Sequence, residues 1–526
     1  MYSFIILLLC PAFAADNEIA TQLRRLSVAR TLGTETLHYP RSLNRFYQER
    51  HFQPAWSDGR QLSATAEELL AAIPAAAGEG LDPRNYHLAA LNDRFRLFQT
   101  TPTAQLAAEL DLLLSDAFMA LASHYLNGRI VPAQVDAAWH IPREEADHLR
   151  MLNQALLSGR IRDSLQALLP PDPAYAALRS AWQDLQLIAA VGGWPQLTFK
   201  PPLRPGAVGA EVVALRQRLL ASGDLPAAEG AGEIFDASLE AAVWRFQSRH
   251  GLVADRIVGP QTLAALNVSA VVRARQLAVN LERWRWLPRS LGERHLRVNL
   301  PAFHLELFEA GEPVLNMRVI VGRQVRQTPA FVGRMTYLVL NPYWEVPPNL
   351  AVLDLLPKIQ ADPVYLAQNG IKVFTRPGGT RLNPADINWQ QLGAGNFPYH
   401  LRQDPGPKNA LGRIKFMFPN RYTIYLHDTP TPKLFEREQR SFSSGCIRIE
   451  QPLDLAQYLL RGTPLASPSA LEEFLFLQSA KNQTVLLPAP LPVYLLYFTA
   501  WVEADGALNF RPDLYQRNLW LDRALH

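Results

Sequence analysis

Apolar residues recur at helical spacing through the first third of the chain and switch to strand alternation in the second half. Over residues 16–198, Ala- and Leu-rich stretches are broken by proline and glycine. Within them Leu106, Leu110, Leu113, Ala117 and Ala120 define a core-facing stripe, opened by Thr101-Pro102 and closed by Gly128. Residues 199–268 carry two short amphipathic faces, Val212/Leu215/Leu219 and Leu239/Ala242/Val243/Phe246, and Gly259-Pro260 starts a third helix. A long helix follows over 269–288. From Leu296 the period becomes two, with Val298, Leu300, Leu305 and Leu307 alternating with polar neighbours. Glu309-Ala310-Gly311-Glu312 reads as a hairpin turn, and strands are expected over 314–321, 335–340 and 421–426. Residues 349–408 break this rhythm, with a helix near 350–359 and glycine-rich loops, and read as an insertion over the sheet. From Lys481 apolar strands, 492–502 among them, are expected to pair onto an existing domain.

The fold class is therefore multidomain α+β. A helical scaffold over 16–198 is completed by the 269–288 helix, and a three-helix module occupies 199–268. A mostly β domain spans 296–480 with its insertion, and 481–526 form a C-terminal extension. A chain of 526 residues is too long for one core, and 41 prolines suit many loops. The net charge of +4 suits an anionic wall or membrane surface, but there is no basic cluster with interleaved aromatics to read nucleic acid. The apolar run over 4–14, ending Ala12-Phe13-Ala14, reads as a signal peptide (1–14) of an exported chain. It is too short for the ~20 residues of a membrane span, though left uncleaved it would anchor weakly. No HExxH or CxxC is present and the histidines are scattered, so neither a metal nor another cofactor is expected.

Removing residues 1–14 also removes Cys10 and leaves Cys446 alone. An unpaired thiol in an exported protein is a buried filler, an intermolecular link or a nucleophile. Its setting, Ser443-Ser444-Gly445-Cys446-Ile447-Arg448, favours the nucleophile. If residues 422–427 are a strand, Ile424 and Leu426 face the core while Tyr425 and His427 share the other face. If the stretch after Gly445 is extended, Ile447 and Ile449 face the core, and Cys446 and Arg448 lie opposite. Two strand ends then bring His427 and Cys446 to one cleft. A thiol of ordinary pKa is mostly protonated at neutral pH, so an imidazole is needed to take its proton. Ser444 and Gly445 lack bulk and allow backbone N–H groups to aim at an oxyanion. Arg448 suits a carboxylate, Tyr425 suits a substrate or imidazole hydrogen bond, and a backbone carbonyl suffices to fix the His427 tautomer.

Arg204-Pro205-Gly206-Ala207-Val208-Gly209, with Ala242-Val243-Trp244-Arg245-Phe246-Gln247 and Gly251-Leu252-Val253-Ala254-Asp255-Arg256, resembles the three-helix peptidoglycan-binding module. That family's Asp-Gly pair is Asp255-Arg256 here. Tyr425-Leu426-His427-Asp428-Thr429-Pro430, the 443–448 motif, Asn280-Leu281-Glu282-Arg283-Trp284-Arg285-Trp286 and Asn341-Pro342-Tyr343-Trp344 resemble the large, periplasmic form of the YkuD-type L,D-transpeptidases. The resemblance implies Cys446 as nucleophile, His427 as general base and then acid, and the Gly445 and Cys446 backbone as oxyanion donors. It implies a backbone role for Asp428, where smaller members carry glycine, and substrate-shaping roles for Tyr425, Ser444 and Arg448. It further implies that 349–408 is a lid, that peptidoglycan tetrapeptide stems are substrates, and that 3-3 cross-links are the product. Carbapenem β-lactams are the implied covalent inhibitors and other cell-wall synthesis enzymes the implied partners. Two rivals remain, a non-catalytic wall-binding scaffold and a carboxypeptidase or cysteine endopeptidase acting on the same polymer.

Overall fold

The computed structural model describes residues 11–477 and 481–526, with side chains from Glu18 onward. Most of the expected signal peptide lies outside the described residues. The described part opens a helix, Pro11–Leu26, that runs past the expected cleavage point at Ala14.

The N-terminal helices pack around Ala104–Asn127, whose side chains are buried on nearly every face from Ala107 to Asn127. An all-round buried helix must satisfy its polar groups internally, and Asp111 does so. Its carboxylate accepts the backbone N–H groups of Ala55 and Trp56 (2.8 and 2.9 Å) and the Tyr47 hydroxyl (2.8 Å). Phe46, Tyr47 and Trp56 are fully buried in the same core. The helix starts later than Thr101-Pro102 implies, because Thr101 terminates the preceding helix Leu88–Thr100. Thr103 is the cap, accepting from the Leu106 N–H.

The helices Ala210–Ala221, Ala237–Arg249 and Pro260–Leu266 enclose a separate small core built on Val212, Leu215, Leu219, Leu239, Val243 and Phe246. At the departure from the module pattern, Arg256 adopts φ 64°, the left-handed conformation glycine would take most easily. Its N–H is held by Gln247 Oε1 at 2.9 Å.

Helix Ala270–Arg285 joins the scaffold to the sheet domain, and its polar residues are as buried as its apolar ones. Asn280 bonds Thr499, and Arg285 bonds the Glu79 carbonyl and Tyr175, so one helix ties distant segments together.

The sheet has nine strands. In spatial order they are Ser441–Ser443, Glu312–Gly322, Ile447–Ile449, Leu426–His427, Ile414–Met417, Phe331–Leu340, Gln483–Leu496, Arg294–Asn299 and His304–Glu309. His304–Glu309 also pairs with Glu312–Gly322, which closes the sheet on itself. Two of the sequence expectations need correction here. The strand expected over 421–426 is only Leu426–His427, because Thr423 takes φ 54° and turns the chain. The apolar strand after Lys481 does pair onto the sheet domain, as its sequence suggests: Gln483–Leu496 runs antiparallel to Phe331–Leu340 and parallel to Arg294–Asn299. The insertion, expected as a helix with loops, has a four-stranded sheet of its own over Trp344–Glu345, His400–Gln403, Ile371–Phe374 and Arg381–Leu382. Val346, Leu355, Ile359, Val373 and Leu401 give it a distinct core.

Candidate active site

Three neighbouring strands carry the candidate chemistry. Leu426–His427 runs parallel to Ile447–Ile449, with Leu426 opposite Ile447 and His427 opposite Arg448. On its other side it runs antiparallel to Ile414–Met417, with Lys415 opposite His427. Ile414, Phe416, Leu426, Ile447 and Ile449 are buried beneath the sheet, so their alternate neighbours share the opposite face. Lys415, His427 and Arg448 form one row across that face, with Tyr425 and Cys446 in the next. The Ile447 N–H donates to the Tyr425 carbonyl at 3.1 Å, which extends the pairing to that second row. His427 is thereby the diagonal neighbour of Cys446 across the parallel pair.

Hydrogen bonds fix the imidazole. His427 Nδ1 lies 2.6 Å from the Asp428 carbonyl, an acceptor only, so Nδ1 carries the proton and Nε2 the lone pair. Asp428 is itself held, its carboxylate accepting the Arg413 and Thr429 N–H groups. Gly412, at φ 64°, packs so tightly that a β-carbon there would collide with the Asp428 carboxyl group. Gly412→Ala is therefore expected to displace the carbonyl that orients His427 and to slow acylation of Cys446 about 10²-fold, a misplacement effect. Intact-mass kinetics with the acyl donor of the function proposed below would measure it, and an unchanged rate would refute this path of support.

The thiol environment is mixed. Cys446 is half-buried, and its Sγ lies 3.8 Å from the Thr423 carbonyl. Among the described residues no hydrogen bond joins it to His427. Burial pushes the Cys446 thiol up, outweighing hydrogen bonds from Tyr425 and the charges of Lys415 and Arg448. Burial also depresses His427, aided by the Arg448 and Lys415 charges, to about 3. The resting pair is thus a neutral thiol beside a neutral imidazole. Alkylation of Cys446 by iodoacetamide is expected to accelerate only as pH rises beyond the ordinary thiol range. No step should occur near 6.5, the usual imidazole value. A plateau already reached at neutral pH would instead indicate a preformed ion pair.

In the loop before Cys446, Gly445 at φ 117° engages its N–H with Ser443 Oγ at 3.1 Å. Its carbonyl accepts from Thr328 Oγ1 at 2.8 Å. The Cys446 N–H has no acceptor among the described residues and is free to meet an oxyanion. Ser444 is exposed and its Oγ accepts from Arg326 Nη1 at 3.0 Å. Arg326 and Arg323 both grip Asp354 of the insertion, so the inserted subdomain is tied to the cysteine loop. Arg448 is half-buried, its Nε has no hydrogen-bond partner among the described residues, and burial lowers its pKa.

Two contributors escaped the sequence reading. Lys415 Nζ stands 3.9 Å from the Tyr425 ring centroid, on the face of Cys446. Its signal was its alternation with Ile414 and Phe416, unread because no motif marks it. The Asp354–Arg326–Ser444 connection had no sequence signal, since it joins three distant segments.

Residues 293–466 match the model of the YkuD family, described as the L,D-transpeptidase catalytic domain. Residues 208–266 match one described as "Putative peptidoglycan binding domain", and residues 41–181 match a scaffold domain. A Haemophilus influenzae protein named "Putative L,D-transpeptidase" is 37% identical over 240 residues, 46% of this chain and 47% of that protein. The chain thus matches about half the length of that relative. A crystal structure of an L,D-transpeptidase from Xylanimonas cellulosilytica aligns over 57% of this chain and 99% of its own, at 18% identity and a TM-score of 0.17. The chain combines a YkuD-type catalytic domain with a peptidoglycan-binding domain and a scaffold domain.

Proposed function

We propose that this chain is a cysteine L,D-transpeptidase that joins peptidoglycan stems through 3-3 cross-links outside the cytoplasm. The observation that carries the reading is the shared face: Cys446, His427, Tyr425 and Arg448 on adjoining strands, with the imidazole tautomer held by Asp428. Among the described residues no helix is long and apolar enough to cross a membrane.

The proposed reaction runs in two halves. As Sγ attacks the carbonyl of the third stem residue, its proton passes to His427 Nε2 and a C–S bond forms. The oxyanion is met by the Cys446 N–H. The tetrahedral species collapses by breaking the C–N bond to the terminal D-alanine, whose amine leaves with the proton from His427. A thioester remains on Cys446. The side-chain amine of a diamino acid in a second stem then attacks, gives its proton to His427, and expels the sulfur, which recovers the proton. Lys415 and Arg448 face the sulfur and suit the carboxylates of the stem or the developing thiolate.

The test is incubation of the purified chain with disaccharide-tetrapeptide, followed by mass spectrometry of products and protein. Joined stems that have lost one D-alanine, together with an acyl adduct on Cys446, are expected. Trimmed monomers alone would make the enzyme a carboxypeptidase, and unchanged substrate would overturn the reading. A carbapenem is expected to leave a stable adduct on the same sulfur.

A further inference from the structure

Between the small helical module and the sheet domain lies a cavity of about 1230 Å³ that neither Cys446 nor His427 lines. That exceeds the usual ~300–1,000 Å³ of a small-molecule pocket, so a segment of polymer fits it better than a metabolite. Its walls are apolar and open to solvent, with Val253, Val272, Phe442 and Leu519 between 41% and 58% exposed. Its floor is cationic. Arg273 is only 8% exposed; it bonds Gln276 Oε1 at 2.9 Å and lies over the Phe510 ring, with no carboxylate partner among the described residues. Arg511 spends its hydrogen bonds on the Arg249 and Phe510 carbonyls and likewise forms no ion pair among the described residues. Arg437 adds an exposed guanidinium on the facing loop.

Glu503 and Glu438 partly balance Arg511, but among the described residues no acid acts on Arg273 in the same way. Asp522 is committed to Arg275, and Asp513 to the Tyr497 hydroxyl and the Arg517 and Asn518 N–H groups. Glu436 and Glu438 are exposed at the rim. Burial and neighbouring arginines lower Arg273 to about 9, which marks a guanidinium that an anion would stabilise.

The cavity also leads towards the reactive loop. A second cavity of about 360 Å³ shares Gly251, Glu438, Gln439 and Arg511 with the first and reaches Gln324, two residues from the Arg326 that holds Ser444. Phe442 in the larger cavity stands four residues before Cys446, at most about 14 Å of extended chain.

We propose that this trench holds the glycan strand of peptidoglycan with its peptide stems attached, and that Arg273 and Arg437 anchor a stem carboxylate there. The proposal rests on the peptidoglycan reading above and adds where the polymer lies. One wall belongs to the domain matched as peptidoglycan binding, and the floor complements the stem's charge.

The test uses the full chain carrying Cys446→Ala, so that binding is measured without turnover. Co-sedimentation with intact sacculi is compared with binding to glycan strands stripped of stems by an amidase. Tenfold or more preference for stem-bearing material is expected. Adding Arg437→Glu, at an exposed position, or Arg273→Gln is expected to abolish most of that preference, with thermal melting of each variant confirming the fold. Equal binding to both polymers, or unchanged affinity in the folded Arg437→Glu variant, overturns the proposal. Failure of the transpeptidase reading would show separately, as absence of joined stems from the chain with Cys446 intact.

Discussion

Replacing Cys446 by alanine is expected to lower stem joining by at least about 10⁴-fold and to remove the acyl adduct altogether. The size follows from what the thiol does in the proposed reaction. Without sulfur there is no thioester, and the transfer must proceed by direct attack of one stem amine on an unactivated amide. Residues acting as one unit are grossly non-additive, so His427→Ala should cost nearly as much as Cys446→Ala, and the double variant little more than either. In the proposed reaction His427 is the proton acceptor for a neutral resting thiol, and its depressed pKa leaves the imidazole neutral across the neutral range. Product mass spectrometry with disaccharide-tetrapeptide gives the measurement. Undiminished cross-linking by Cys446→Ala would reduce the sheet domain to a wall-binding scaffold, the rival the sequence leaves open.

Much of this site was legible before the structure because alternation is a strong local signal. Ile424, Leu426, Ile447 and Ile449 are all buried, and their neighbours share one face. What was hidden is non-local or set by backbone torsion. Thr423 at φ 54° ends a strand whose side-chain pattern continues through it, and nothing in threonine's chemistry announces that conformation. The Gly445 N–H is engaged by Ser443 Oγ, a contact between near neighbours that depends on the loop's path. The place of Gln483–Leu496 between two much earlier strands could not be read from its own residues. The sheet within the insertion was obscured because strands such as Trp344–Glu345 and Arg381–Leu382 have two residues, too few to show a period.

Glu282→Gln is expected to destabilise the large core by about 3–5 kcal/mol, the cost of leaving a buried charge without its partner. Glu282 and Arg285 are 0% and 1% exposed and pair at 2.9 Å. Glu282 Oε1 also accepts the Ile130 N–H at 2.6 Å, and a β-carbon on Gly128 would lie 2.6 Å from that oxygen, so the scaffold closes tightly over the carboxylate. Arg285 in turn bonds the Glu79 carbonyl and the Tyr175 hydroxyl at 2.9 and 3.0 Å. Glutamine keeps the shape and an acceptor for Ile130 but removes the charge, which isolates the electrostatic part. Replacing the pair together, as Glu282→Met with Arg285→Met, should cost less than the single change, because it leaves no unpaired ion in the core. Urea denaturation would read both effects. The 199–268 module has its own core and serves as the internal reference, its transition holding still while that of the shared scaffold and sheet core moves. If the double variant proves the less stable, the pair contributes more through Arg285's contacts to Glu79 and Tyr175 than through charge, and Arg285→Met alone would then reproduce most of the loss.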